Sequence, residues 1–190
     1  MSRPVEKLDL DSENYLQGEQ FSEVRHEYVA GQVYAMTGAT EAHNRIAINL
    51  GFQLRAAARG TPCGVFLSDM KVRVEASDAF YYPDVVLTCE PQDPRALFKR
   101  GPCLIAEVLS DSTELTDRRE KLVGYRTLAS LQDYLLIAQD RRRVERYHRT
   151  EDGRWQHELF EHAGELPIHC GEVALTLTLD DLYEDVALPG

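Results

Sequence analysis

Residues 103–125 read CLIAEVLSDSTELTDRREKLVGY, and this stretch decides how the chain folds. Cys103 to Leu109 form an apolar run of the kind that fills the centre of a sheet, interrupted by one acid, Glu107. Ser110-Asp111-Ser112-Thr113 then supplies helix-capping side chains, and the spacing predicts a helix from about Glu114 to Leu128. A carboxylate inside a buried strand needs a partner, because an unpaired buried charge costs on the order of several kcal/mol even after relaxation. A structural salt bridge, a metal ion and a lysine all satisfy that need, and the strand alone leaves the three open.

Working outward, Asn14 to His26 reads as a short helix leading into a hairpin over Glu27 to Tyr34, with Gly31 at the turn. Thr40 to Arg59 reads as an amphipathic helix, capped by Thr40, ended by Gly60, with Ile46, Ile48, Leu50, Phe52 and Leu54 as its apolar side. Strands are expected at Gly64 to Leu67, Lys71 to Glu75, Tyr82 to Thr88, Cys103 to Leu109 and Tyr134 to Ala138. Met70 to Glu75 alternates like a half-exposed strand, whereas Val85-Val86-Leu87 is continuous like a sheet centre. Val144 to Arg149 and Trp155 to Glu161 pair across Glu151-Asp152-Gly153, and a strand over Val173 to Leu177 with a short Asp180 to Tyr183 helix closes the chain. The pattern is α+β (α/β): a mixed central sheet, one long helix on each face and β-hairpins at the edges.

The 190 residues suit a single domain, 1–190, with a proper core. No apolar run approaches the roughly 18 residues of a membrane span. The opening MSRPVEKLDLDSENY has no signal-peptide core, so a cytoplasmic protein with no membrane partner is expected. The net charge of −11 argues against a protein that coats nucleic acid through phosphate contacts, yet it is compatible with an enzyme whose metal site needs clustered carboxylates. Cys63, Cys89, Cys103 and Cys170 show no CxxC spacing; buried free thiols are expected, and a zinc cluster is not indicated.

Asp84 is a second acid at the start of a buried run, 23 residues before Glu107. That separation accommodates a strand, a loop and a neighbouring return strand. Two carboxylates would then meet, and like charges so close raise one pKa unless a cation sits between them. Oxygen ligands with open positions suit Mg²⁺ or Mn²⁺. Lys121 is also within range. Three to four strand residues carry the chain about 10–13 Å beyond Glu107 at about 3.3 Å each. Eight helical residues return it about 12 Å at 1.5 Å each. Asp117, Lys121 and Tyr125 follow at i, i+4 and i+8 and share one helix face.

With Pro83-Asp84, Glu107-Val108-Leu109-Ser110-x-Ser112-Thr113, Asp117, Lys121 and Tyr125 in this order, the chain resembles a restriction endonuclease family long filed as a domain of unknown function. That family belongs to the PD-(D/E)xK nuclease superfamily, and the resemblance covers roughly residues 20–185, including Glu27 and His43. It implies a restriction endonuclease-like domain and a metal-dependent endonuclease acting on DNA, with Mg²⁺ or Mn²⁺ as cofactor; a homodimer is compatible with this because cutting both strands needs two sites, though no sequence feature demonstrates it. The lysine expected two residues after the glutamate is replaced by Leu109, and the resemblance implies that Lys121 fills its role. It further implies that Asp84 and Glu107 ligate the metal with the Val108 carbonyl, and that Glu27 adds a further catalytic carboxylate. Asp69 is a weaker candidate beside the site, with Asp117 as a supporting group.

Blander readings stand beside these. Glu107 and Lys121 could form a salt bridge without catalysis, Asp84 could be a strand-entry turn residue, and Glu27 an ordinary hairpin acid. His43 could hold a phosphate, shuttle a proton or cap the first turn of its helix. Ser110 and Thr113 could shape their loop or touch phosphate, and Tyr125 could be a packed aromatic whose hydroxyl reaches the site. Arg141-Arg142-Arg143 reads as a solvated turn more readily than as a DNA contact. The main alternative function is a catalytically inactive nuclease-fold module that binds protein or nucleic acid; a hydrolase of small phosphorylated molecules is a third, without a phosphate-cradling glycine loop to support it.

Overall fold

The computed structural model of the protein describes residues 10–110, 113–161 and 163–189. The expected capping groups Asp111 and Ser112 lie outside the described residues. Helix α1 (Ser12–Glu19) starts where the Asp11 side chain accepts from the Asn14 amide, and leads to the hairpin β1 (His26–Val29) and β2 (Gln32–Ala35). Its two-residue turn has positive φ at both Ala30 and Gly31, 46° and 88°, the geometry that matches strand twist in tight hairpins.

Helix α2 (Glu41–Ala57) is capped by Thr40, whose side chain accepts from the His43 amide. It buries Ile46, Ala47, Leu50, Gly51 and Leu54. Ile48 and Phe52 are instead exposed, 50% and 69%. Residues two apart in a helix point about 200° apart, so the alternating set expected to form one side cannot do so.

Strands β3 (Gly64–Leu67), β4 (Lys71–Val74), β5 (Ala79–Tyr81) and β6 (Val85–Thr88) follow, then the short β7 (Phe98–Lys99) and the fully buried β8 (Pro102–Leu109). After β8 the chain runs through α3 (Glu114–Thr116), a π-helical turn (Asp117–Lys121) and α4 (Leu122–Tyr125). The predicted regular helix is therefore widened in its middle. The chain closes with β9 (Asp133–Ala138), β10 (Val144–Arg149), β11 (Trp155–Phe160), the hairpin β12 (Glu165–Cys170) and β13 (Val173–Thr178), and α5 (Leu179–Leu182).

The central sheet is mixed and six-stranded, in the order β11-β10-β9-β8-β6-β3. Within this sheet, among the described residues, β8 and β9 are the parallel pair, joined by the α3–α4 crossover. Alternation along the central strands assigns the two faces. Val85, Leu87, Leu104, Ala106 and Val108 pack against Ile46, Leu50 and Leu54 of α2. Val86, Ile105 and Leu109 pack on the opposite side, with Tyr125, Leu128 and Tyr134. That second side is covered by the crossover together with a five-stranded sheet, β2-β1-β5-β4-β7, whose Val72, Val74 and Tyr81 enter the same cluster. Strands β5, β7 and β12 were not expected from the sequence, and β4 is mostly buried rather than half-exposed.

The four cysteines depart from expectation. Cys63 is joined to Cys89, and Cys103 to Cys170, so they are not free thiols in this structure.

Candidate active site

Strands β6 and β8 are antiparallel, with Val85 opposite Ala106 and Val86 opposite Ile105. One step further along both chains brings Asp84 level with Glu107. On β8, Glu107 follows the same alternation as Ile105 and Leu109, so it points toward the side covered by the crossover helices. There it meets Lys121, whose Nζ lies 3.2 Å from Glu107 Oε1. The same ammonium lies 2.9 Å from Glu27 Oε1, supplied by β1, and 3.1 Å from Asp117 Oδ1, one turn earlier. Tyr125 donates its hydroxyl to Glu107 Oε1 at 3.1 Å. The π-helical turn places Asp117 and Lys121 at its two ends, and such turns recur at functional sites.

On the cavity side, His43 Nε2 is 3.2 Å from Asp84 Oδ2, and the same oxygen accepts from the Val108 amide at 2.7 Å. The Tyr82 amide donates to Glu27 Oε1 at 3.1 Å, fixing that carboxylate toward Lys121. An open cavity of about 720 Å³ is lined by Glu27, His43, Asp84, Glu107, Val108 and Lys121 together with Ser110 and Thr113. Ser110 and Thr113 are linked through their hydroxyls at 3.0 Å, at the rim of the cavity.

Charge is unbalanced here. Four carboxyl groups, Glu27, Asp84, Glu107 and Asp117, act on Lys121 or on one another, so with all four ionised three negative charges would be in surplus before His43 is counted. Burial pushes the Glu107 carboxyl well above the ordinary carboxylate range; Lys121 opposes this, and Asp117, Asp84 and Glu27 reinforce it. Burial pulls Lys121 down, but Glu107, Glu27 and Asp117 outweigh it and hold the group well above its usual value. Lys121 is therefore an ammonium across the neutral range. For His43 the pull of burial is outweighed by the hydrogen bond and charge of Asp84, and its pKa is raised. Burial, then Glu107, keep Tyr125 a neutral donor.

These features fit a divalent cation. The donor set is carboxylate oxygen, as Mg²⁺ and Mn²⁺ prefer, and the surplus negative charge calls for a cation. Asp117 Oδ1 is buried with no aligned hydrogen-bond donor among the described residues, although Lys121 is within ion-pair range. Asp84 and Glu107, which share the cavity wall, would hold the ion.

The profile of the family described as "Putative restriction endonuclease", Uma2, matches residues 12–180. The chain belongs to the Uma2 family. Two curated relatives from Synechocystis sp. are similar to it. "Uncharacterized protein slr1290" is 34% identical and covers 98% of this chain and 96% of its own. "Uncharacterized protein sll1609" is 37% identical, over 77% of this chain and 84% of its own. A crystal structure from Anabaena variabilis, titled as a putative nuclease belonging to DUF820, shares the fold. Its TM-score is 0.70 at 19% identity, covering 85% of this chain and 91% of that one. Membership of this family of restriction endonuclease-like fold supports a nuclease-type function.

Most residues singled out from the sequence converge on the cavity or directly behind it. Asp69 does not: it is exposed, pairs with Arg25 at 3.2 Å, and does not line the cavity. Tyr125 and Asp117 stand behind Lys121 and Glu107 rather than at the cavity wall. Arg142 pairs with Asp180, and Arg143 with Glu145 and Glu161, so this turn is tied to two exposed acids and to the buried Glu145. Sequence reasoning missed Tyr34, Tyr82, Gln139 and Asp140, which also line the cavity. Gln139 was within reach: it directly follows β9, the parallel neighbour of β8, and accepts a short hydrogen bond from Thr40 at the start of α2. No helix among the described residues is long and apolar enough to cross a membrane.

Proposed function

We propose that the protein is a metal-dependent endonuclease that hydrolyses phosphodiester bonds in DNA. The observation that carries this reading is the meeting of Lys121 with Glu107, Glu27 and Asp117 beside Asp84, in an open cavity. A buried salt bridge needs one carboxylate per cation, and this site has several. Mg²⁺ or Mn²⁺ held by Asp84 and Glu107, with the Val108 carbonyl adjoining, would lower the pKa of a bound water and offset charge on the phosphate.

The chain's own groups do the rest. Lys121 presents a permanent ammonium, fixed by three carboxylates, toward the place where negative charge develops on the scissile phosphate. Glu27 and Asp117 hold that ammonium in position, and Tyr125 holds the Glu107 oxygen that faces it. His43, kept protonatable by Asp84, lies at the cavity wall, where it can donate a hydrogen bond to a phosphate oxygen. Ser110 and Thr113, at the rim, can contact the neighbouring backbone. With a net charge of −11 the whole molecule repels DNA, so affinity must come from the bound cation and these local donors.

The test is cleavage of supercoiled plasmid by purified protein with Mg²⁺ or Mn²⁺. Wild type should nick or cut, and Lys121→Ala and Glu107→Gln should do so at least about 100-fold more slowly. Equal activity in wild type and both variants removes the assignment.

A further inference from the structure

The active site uses one end of β6 and β8; the opposite end of the same strands carries a second cluster of reactive side chains. Cys63 lies just before β3, Cys89 just after β6, Cys103 at the start of β8 and Cys170 at the end of β12. Because β3 pairs with β6 and β6 with β8, the first three fall at one end of the sheet. The β12–β13 hairpin delivers the fourth. The sulfurs of Cys89, Cys103 and Cys170 lie within 4.8 Å of one another. A side chain at Gly171 would lie 3.1 Å from Cys89 Sγ and 3.8 Å from Cys63 Sγ, so Cys63, bonded to Cys89, sits beside these three sulfurs although outside their 4.8 Å group. Gly171 has φ of 58°, so the hairpin turns tightly against the sulfurs with nothing larger between. Cys63, Cys103 and Cys170 are buried.

We propose that these four cysteines are a metal site, which in its reduced form binds one zinc ion through four thiolates. Tetrahedral Zn–S bonds of about 2.3 Å put sulfurs about 3.8 Å apart. Cys89 Sγ and Cys170 Sγ, from different disulfides, are already 3.5 Å apart. The two bonded pairs must part, and Cys63 must swing in to complete the tetrahedron. Sulfurs this close leave room for one ion and not for a polynuclear iron–sulfur cluster, the other common occupant of an all-thiolate site.

The chemistry balances. A phosphine reductant and one water convert each disulfide to two thiols, and the phosphine becomes its oxide. Zinc then displaces four protons as the four thiolates bind it. The ion would tie the β12–β13 hairpin to β3, β6 and β8. It would sit about 13 Å along β8 from Glu107, counting four residues at about 3.3 Å each, and so apart from the oxygen site.

The experiment titrates Co²⁺ into the full chain, reduced with a phosphine under nitrogen, in a Glu107→Gln background so that the carboxylate site does not compete. One equivalent should produce thiolate-to-cobalt charge-transfer absorption and intense visible bands, and Zn²⁺ should bleach both. Zinc should raise the unfolding temperature of the reduced chain, and lose that effect in Cys89→Ser and, separately, in Cys170→Ser. A cobalt spectrum without thiolate charge transfer overturns the proposal. So does one unchanged in both serine variants, or iron with acid-labile sulfide in the protein as purified.

Discussion

Lys121 Nζ lies 3.2 Å from Glu107 Oε1, although the two residues are 14 positions apart and belong to different elements. The strand turns its acid toward the crossover, and the crossover returns a lysine to it. Both groups are nearly inaccessible to solvent, so neither is stable without the other or a substitute.

Lys121→Ala therefore strips from Glu27, Glu107 and Asp117 the cation they share among the described residues. Without divalent metal the variant should lose about 3–5 kcal/mol of stability in denaturant unfolding, the usual cost of breaking a buried pair. Mn²⁺ should restore more stability to this variant than it adds to wild type, because it replaces a missing positive charge. Equal Mn²⁺ effects on both would contradict the charge account.

How much of this was legible in the sequence follows from the kind of information each part needs. Glu107 was visible because an acid in a seven-residue apolar run breaks a simple pattern, and Asp84 for the same reason. Lys121 was reachable by counting rises, and the widened turn between Asp117 and Lys121 did not spoil the count. The face of α2 was misjudged because its alternating apolar residues resemble a strand pattern laid on a helix. The second sheet was harder. Strands β5 and β7 have three and two residues, too few for periodicity to register. The cysteine cluster depends on strand pairing over long separations, which spacing in the chain does not encode.

The two faces of α2 should respond differently to truncation. Leu50→Ala removes a fully buried side chain and should cost about 2–5 kcal/mol. Phe52→Ser, on the exposed face, should change stability by less than about 0.5 kcal/mol. Chemical denaturation of both variants checks this, and a large loss for Phe52→Ser would place that face in an interface.

Acid sensitivity should be readable at Glu145, away from the cavity. Burial raises its pKa, but the hydrogen bond and charge of Arg118, aided by Arg143 and His157, bring it below the ordinary 4.5. A carboxylate lowered in the folded state stabilises above its unfolded pKa, and that contribution fades as pH falls through the folded value. Wild type should therefore lose stability on acidification below about pH 4.5 more steeply than Glu145→Gln. At pH 7 the substitution should cost about 1.5–3 kcal/mol, the scale of a hydrogen bond to a charged group. Parallel pH series of urea unfolding would show a shared slope if Glu145 contributes nothing.

Within the cavity, Asp84→Asn and Glu107→Gln should each weaken Mn²⁺ binding in calorimetric titration. Each should also lower the rate of plasmid nicking roughly 10²–10³-fold, the scale of losing one preorganised electrostatic contact. Asp69→Asn, on the surface beside Arg25, should leave both unchanged. A strong effect at Asp69 would mean that the cavity reaches further than the lining residues indicate.

Anomalous diffraction from a crystal grown with Mn²⁺ addresses the central claim most directly. The account predicts one strong peak in the cavity, within coordination distance of Asp84 and Glu107, with Lys121 beside it and not ligating. A well-ordered cavity without a peak, or a peak held by other residues while Asp84 stays bound to His43 and the Val108 amide, would contradict it.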